Sequence, residues 1–154
     1  PFGLGLRAVQ LQDQAFMEAL FFSTRDYLYQ MPVPKSQIDF LIKQQFMMQQ
    51  ASYLASFPAA EIFIIELYSQ PVGKIIVNTT SASLHVIDIA LLSAMRGKGF
   101  GSAILRALKK VAAQQLLPLR LAVDQQNSRA KKLYLALGFT LIESSPTHDT
   151  LLWN

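Results

Sequence analysis

The residues whose types and spacing suit chemistry converge on one short run, Arg96-Gly97-Lys98-Gly99-Phe100-Gly101-Ser102. Glycines let a backbone turn sharply and approach a ligand closely. Free N–H groups at the start of a helix form an anion site that the helix dipole strengthens. Arg96 and Lys98 add full positive charges to that site. The chemistry on offer is therefore the binding of a phosphate or pyrophosphate. The Gly-x-Gly-x-Gly spacing misses the dinucleotide fingerprint at Ser102, and no Gly-Lys-Ser/Thr follows at the distance a Walker loop needs. A plain glycine-rich turn from strand to helix is the bland alternative.

Charge supports the anion reading. The net charge is only +4, but nine basic residues lie between Arg96 and Lys132 against one acid, Asp124. The rest of the chain has five basic and nine acidic residues. Such asymmetry points to an anionic partner held by that segment, with nucleic acid, a phosphorylated cofactor and an anionic membrane as the candidates.

Other chemistry is excluded by composition. There is no cysteine, so disulfides, thiolate metal sites and a cysteine nucleophile are ruled out. Two histidines, His85 and His148, are too few for a histidine cage, and no metal site is expected. No Gly-x-Ser-x-Gly supports a hydrolase. No apolar run reaches about 18 residues, so no membrane span is expected. The opening residues Pro1 to Leu6 lack a leader pattern, and the missing Met suggests a processed start, so a cytoplasmic protein is expected. Apolar residues make up 51% and charged residues 16%, which excludes a disordered chain. That excess hints at apolar surface covered by a ligand or by a second copy.

The elements that position these residues follow from periodicity. Leu4 to Val9 reads as a strand, and the pattern from Phe16 to Leu28 as a helix ended by Met31-Pro32-Val33-Pro34. Ser36 with Asp39 resembles a capping box that opens a second helix running to about Ser56. Ile62 to Tyr68 and Val72 to Val77 form a hairpin across Ser69-Gln70-Pro71. Leu84 to Leu92 is a third strand of that group, apolar enough to be buried on both faces apart from His85 and Asp88. The glycine turn then opens a helix lined by Ile104, Leu105, Leu108 and Ala112. Leu119 to Val123 is a strand. Asn127 or Ser128 caps a fourth helix that Gly138 ends. Phe139 to Ile142 and Thr150 to Trp153 close the chain as a hairpin. The order βααβββαβαββ gives an α/β (α+β) fold, a mixed, mostly antiparallel sheet of about seven strands flanked by four helices. At 154 residues, 1–154 is expected to be one domain.

Two motifs in this framework carry a family resemblance. Arg96 to Gly101 matches the Arg/Gln-x-x-Gly-x-Gly/Ala signature of the GNAT N-acetyltransferases. Asn127-Ser128-Arg129-Ala130-Lys131-Lys132-Leu133-Tyr134-Leu135-Ala136-Leu137-Gly138-Phe139 fits the family's Asn-x-x-Ala-x-x-Leu/Phe-Tyr-x-x-x-Gly-Phe at every fixed position. Ile87 to Leu92 resembles that family's fourth strand. The chain departs at Ser93, where proline is common.

The resemblance implies an acetyl-CoA-dependent N-acetyltransferase of single-domain form, acting on a primary amine. A catalytically silent acetyl-CoA-binding sensor of the same fold is the alternative. The cofactor pyrophosphate would rest on the turn from Lys98 to Ser102, and its pantetheine arm would pair with Leu91, Leu92 and Ser93. A bulge there would splay this strand from the next. A freed amide of Leu91 or Leu92 would then face the thioester carbonyl, as an oxyanion donor. Asn127 would contact the pantetheine arm. Lys132 would approach a phosphate, or else is a solvated lysine on the helix face. Tyr134 would protonate the departing thiolate. The transfer is feasible between a thiol pKa near about 8.5 and a phenol near about 10.

The general base is open. Asp88 is either functional or structurally paired, and strict alternation places it on the opposite face of its strand from His85. Glu66, His148 and a path through water are the other candidates. The basic residues cluster at one turn and the two helices after it, without an RNA- or DNA-binding motif, so nucleic acid and membrane drop out as partners. The acceptor side falls to the N-terminal third. Its bulky residues, among them Phe21, Tyr29, Phe46, Met47, Met48 and Tyr53, serve core packing, an apolar acceptor cleft or a homodimer face.

Overall fold

The computed structural model describes residues 3–125 and 127–154. Its strands are β1 (Leu4–Ala8), β2 (Glu61–Leu67), β3 (Gln70–Thr79), β4 (Leu84–Leu91), β5 (Leu119–Asp124), β6 (Thr140–Ser144) and β7 (His148–Trp153). Its helices are α1 (Gln14–Ser23), α2 (Lys35–Ser56), α3 (Phe100–Gln114) and α4 (Ser128–Ala136). They follow one another in the order read from the sequence. Among the described residues the strands form one sheet in the order β1-β2-β3-β4-β5-β7-β6, in which only β4 and β5 run parallel. Among the described residues, no helix is long and apolar enough to cross a membrane.

Each face of the sheet buries its own cluster. On one side Ile104, Leu105, Leu108 and Ala112 of α3 pack against Ile75, Val86, Leu121 and Leu151. Their spacing makes a single helical stripe. Burying each aliphatic side chain stabilises the fold by about 1.5–3 kcal/mol. On the other side Met17 and Phe21 of α1 and Ile38, Ile42 and Phe46 of α2 cover Ile64. The Phe21 and Phe46 rings meet at 5.3 Å. Tyr27, Met31, Met47 and Met48 stay exposed, so the bulky N-terminal residues divide between core and surface.

Four local expectations are revised. Ser36 caps nothing: α2 starts at Lys35 behind Pro34, and Asp39 takes hydrogen bonds from Tyr29 and Lys35 instead. The β2–β3 turn sits at Tyr68-Ser69, both left-handed (φ 48° and 67°), and β3 begins at Gln70. The strand buried on both faces is β3, from Val72 to Val77, while β4 is only half-buried over Ile87–Leu91. The physical reason is that β5 pairs with β4 only at Leu84, His85 and Val86 and then diverges.

The fourth revision concerns alternation. The β3–β4 register passes from Val77↔Val86 to Ile76↔Asp88, so Ile87 is an extra residue. A bulge shifts the pleat by one position. Asp88 therefore shares a face with His85 rather than opposing it. The His85 ring packs edge-on against Phe57 after α2, at 5.4 Å, while Asp88 borders a cavity beneath α1 and α2.

Candidate functional site

The glycine turn folds as its composition suggests. Gly97 (φ 74°) and Gly99 (φ 84°) both occupy the left-handed region, which costs any other residue about 1–2 kcal/mol. Gly99 is the cap position of α3. The first intrahelical bond runs from Ala103 N to Gly99 O at 3.1 Å. The amides of Phe100, Gly101 and Ser102 precede that bond and face outward without a helical acceptor. Gly101 has ordinary helical geometry, and a β-carbon there would meet nothing within 4 Å. Its lack of a side chain leaves room over those amides.

This turn forms one wall of a cleft of about 450 Å³, within the range of small-molecule sites. Arg96, Gly97, Gly99, Gly101 and Ser102 line it from the turn, and Asn127, Arg129 and Tyr134 from α4. Ile89 and Leu91 line it from β4, where the strand has left β5. Leu92 N donates to Val72 O at 2.8 Å, toward β3. In an antiparallel ladder the bonding direction alternates, so Ala90 and Asp88 also bond toward β3. The amides of Ile89 and Leu91 consequently point to the open edge. Of the two amides expected to serve as an oxyanion donor, Leu92's is taken and Leu91's is turned by the alternation toward the open edge. The Leu91 carbonyl accepts a hydrogen bond from Arg96 Nη2 at 3.2 Å, which ties the turn to the strand end.

The α4 wall is fixed from behind. Asn127 Oδ1 accepts from Ala130 N at 3.1 Å, capping the helix and leaving the side-chain NH2 for another partner. Lys131 Nζ lies 2.6 Å from the buried Asp149 on β7, whose carboxyl is held below the usual range by Lys131 and then Ser144. Lys109 donates to Leu137 O at 2.7 Å and sits over the Trp153 ring. Two of the nine clustered cations thus serve packing. Tyr134 is half-buried beside Phe139, and its hydroxyl has no hydrogen-bond partner among the described residues. Burial, and then the charge of Asp88, push its pKa above the ordinary phenol value. The group therefore stays protonated at neutral pH.

Not every predicted residue reaches the cleft. Leu92, Ser93, Lys98, Phe100 and Lys132 lie outside its lining, and Ser93, Lys98 and Lys132 are exposed. Asp88 lies on the other face, 3.5 Å from the buried Lys74. Glu66 is bound to Arg7 at 2.8 Å and does not line the cleft. His148 is exposed and contacts Thr147 Oγ1. His85, packed on Phe57, is outside the cleft and has its pKa lowered by burial and then by Arg120. Among the described residues no cluster of three His, Cys, Asp or Glu could hold a metal.

The sequence reading missed Arg129. Its Nη2 would stand 3.2 Å from a β-carbon on Gly97, so the guanidinium lies over the turn. The signal was its place two residues after Asn127 in the basic segment. Among the described residues, Arg96 and Arg129 are the cations that line the cleft.

Comparison with known proteins is consistent with this geometry. PaiA N-acetyltransferase from Thermoplasma acidophilum, solved in complex with coenzyme A, superposes with a TM-score of 0.71 at 15% identity, covering 97% of each chain. An acetyltransferase from Thermus thermophilus gives 0.67 at 21% identity, over 99% of this chain and 97% of the other. A GNAT family acetyltransferase from Elizabethkingia anophelis, solved with acetyl-CoA bound, gives 0.67 at 12% identity, over 100% and 99%. At such identities the likeness is one of fold. No curated protein sequence matches the chain. The model of the acetyltransferase (GNAT) family matches residues 25–139, a stretch running from just after α1 to the last residue of the tyrosine motif. On that match, the chain belongs to the acetyltransferase (GNAT) family.

Proposed function

We propose that this protein is an acetyl-CoA-dependent N-acetyltransferase acting on a primary amine by direct attack on the thioester. The observation that carries the reading is one cleft where three features meet: the α3 amides, the open edge of β4 and the Tyr134 hydroxyl. Each suits a different part of the cofactor. The outward amides of Phe100, Gly101 and Ser102, with Arg96 and Arg129, suit a pyrophosphate. The open edge at Ile89 and Leu91 suits the amide-bearing pantetheine arm, and the Asn127 NH2 adds a donor. Acetyl-CoA supplies an activated acetyl group as its thioester.

The chain's own groups then have defined tasks. The Leu91 amide donates to the oxygen that gains charge during attack. The Tyr134 hydroxyl, protonated at neutral pH, gives its proton to the sulfur that leaves. Arg96 holds the Leu91 carbonyl and so fixes the Leu91–Leu92 peptide, the neighbour of the one that carries the Leu91 N–H. The ammonium form of the acceptor must lose a proton before attack, directly or through water. We assign Asp88 to the acceptor side of this step rather than to the cofactor cleft. Leu92, Ser93, Lys98, Phe100 and Lys132 remain in the proposed cofactor surround, outside the cleft wall.

One sheet extends from β1 to β6, which supports reading 1–154 as one domain. The cytoplasmic location and a homodimer belong to the same proposal. For the dimer the support is the exposed Met47, Met48 and Leu54 on α2. The test is thermal stabilisation by acetyl-CoA together with release of free coenzyme A over a broad panel of amines. No stabilisation at millimolar acetyl-CoA overturns the reading. Stabilisation without turnover of any amine leaves a cofactor-binding sensor.

A further inference from the structure

On the α1/α2 face lies a second cavity, of about 140 Å³. Its polar lining is Thr24, Arg25, Gln49, Lys74 and Asp88. It shares Ile89 with the cofactor cleft, on the stretch of β4 that has parted from β5. The Ile87 bulge brings Asp88 to this side. We propose that this cavity receives the acceptor and selects an aminocarboxylate, a small zwitterion whose amine faces Asp88 and whose carboxylate faces Arg25. The proposal rests on the acetyl-transfer reading above.

The charges argue for it. Arg25 is stacked on Phe21, with its guanidinium carbon 4.0 Å from the ring centre, and donates to Thr24 Oγ1 at 2.7 Å. Among the described residues no carboxylate pairs with it. A stacked, planar guanidinium with a free edge is well suited to a carboxylate. Lys74 is 5% exposed and its Nζ is 3.5 Å from Asp88 Oδ2, longer than the roughly 2.7–2.9 Å of a charge-assisted hydrogen bond. Asp88 accepts no hydrogen bond among the described residues, so its acceptor capacity is open. The cavity thus carries two cations and one anion.

A zwitterion pairs both signs and adds no net charge. A purely cationic amine would add positive charge to a site already in positive excess and leave Arg25 without a counter-ion. Size agrees. At about 140 Å³ the cavity is smaller than a whole-ligand site, so it holds the ammonium, its carbon and the carboxylate, with any side chain projecting outward. The two cavities meet at Ile89, which sets an amine held beside Asp88 next to the cofactor cleft.

The experiment follows coenzyme A release with a panel of free L-amino acids, their methyl esters, the matched alkylamines and a polyamine. For the preferred acceptor the free acid should exceed its ester in kcat/KM by about 10- to 100-fold, the worth of a lost hydrogen bond between charged groups. Arg25→Gln should bring acid and ester within about threefold, as the paired losses of one interaction require, while acetyl-CoA still stabilises the variant as it does the wild type. The comparison within the wild type decides the matter even where the variant folds poorly. Esters, alkylamines or the polyamine used as well as the acids would overturn the acceptor assignment and leave acetyl transfer standing. No turnover of any amine would overturn both.

Discussion

Two glycines two residues apart should respond to the same substitution with opposite signs. Gly101→Ala adds a methyl group at helical geometry in open space, so the ligand-free protein loses nothing native. Restricting the unfolded chain should stabilise it by about 0.4–1 kcal/mol. For a chain of this size that is a Tm rise of about 1–4 °C. Gly99→Ala also meets nothing within 4 Å, but it must hold φ 84°. The cost of about 1–2 kcal/mol should lower Tm by about 2–8 °C. Bound ligand should keep both signs. Alanine is the other residue that the Arg/Gln-x-x-Gly-x-Gly/Ala signature admits at Gly101, so the α3 amides stay open to a pyrophosphate in Gly101→Ala. At acetyl-CoA near 100 times Kd, the wild type gains about 2.7 kcal/mol, a rise of about 5–11 °C, and Gly101→Ala should gain the same. Gly99→Ala, which disturbs the left-handed turn itself, should bind more weakly; after a 100-fold loss it gains only about 0.4 kcal/mol, roughly 1–2 °C. Differential scanning fluorimetry of the three proteins with and without acetyl-CoA measures these values. A Gly101→Ala protein that is less stable alone, or a Gly99→Ala protein that keeps the full ligand shift, overturns this account of the turn.

Tyr134→Phe should cut kcat by about 10²–10⁴-fold in steady-state assays while the thermal shift with acetyl-CoA is unchanged. A large loss of that shift would make the tyrosine structural instead. Arg129→Ala should weaken acetyl-CoA binding by calorimetry, and the difference from wild type should shrink as salt is raised. Asp13, bound at two points by Arg7, has its carboxyl pulled from 3.8 down to about 2. Its folded-state pKa is the lower one, so its contribution is full above pH 3.8 and is lost as pH falls toward 2. Asp13→Asn should flatten the acid side of a stability–pH profile in that window, and an unchanged profile would rule the contact out as a source of acid sensitivity. Asp149, held down by Lys131, works in the same direction.

Much of this arrangement was legible in the sequence because it rests on local rules. Gly97 and Gly99 announce left-handed backbone, Asn127 announces a cap and Gly138 a helix end, and each holds. The stripe from Ile104 to Ala112 needs only a helical period. What escaped depends on contacts between distant segments. Lys74, one charged residue in an otherwise apolar strand, is buried under α1 and α2, facing Asp88 across one pair of strands. Arg129 reads as any basic residue on a helix until α4 swings it over Gly97. Ser36 and Asp39 have the spacing of a capping box, but Pro34 and the Tyr29 hydroxyl claim the positions first.

The resemblance implies a bulge at Leu91 to Ser93; the register places it earlier, at Ile87, and that position is the least legible feature and has the widest consequences. A period of two in side chains carries no mark of one extra residue when that residue is itself apolar. Without it, Asp88 would face α3, and neither its pairing with Lys74 nor its place in the α1/α2 cavity would exist. The divergence of β5 from β4 begins beside it, after Val86. That divergence leaves backbone groups of Ile89 and Leu91 on an edge inside the sheet, where unpaired groups cost stability unless something meets them. Arg96 meets one, the Leu91 carbonyl. The amides are left for a ligand with backbone-like acceptors. One inserted residue therefore coincides with both halves of the site, an unpaired strand edge toward α3 and α4 and a charged cavity toward α1 and α2, meeting at Ile89.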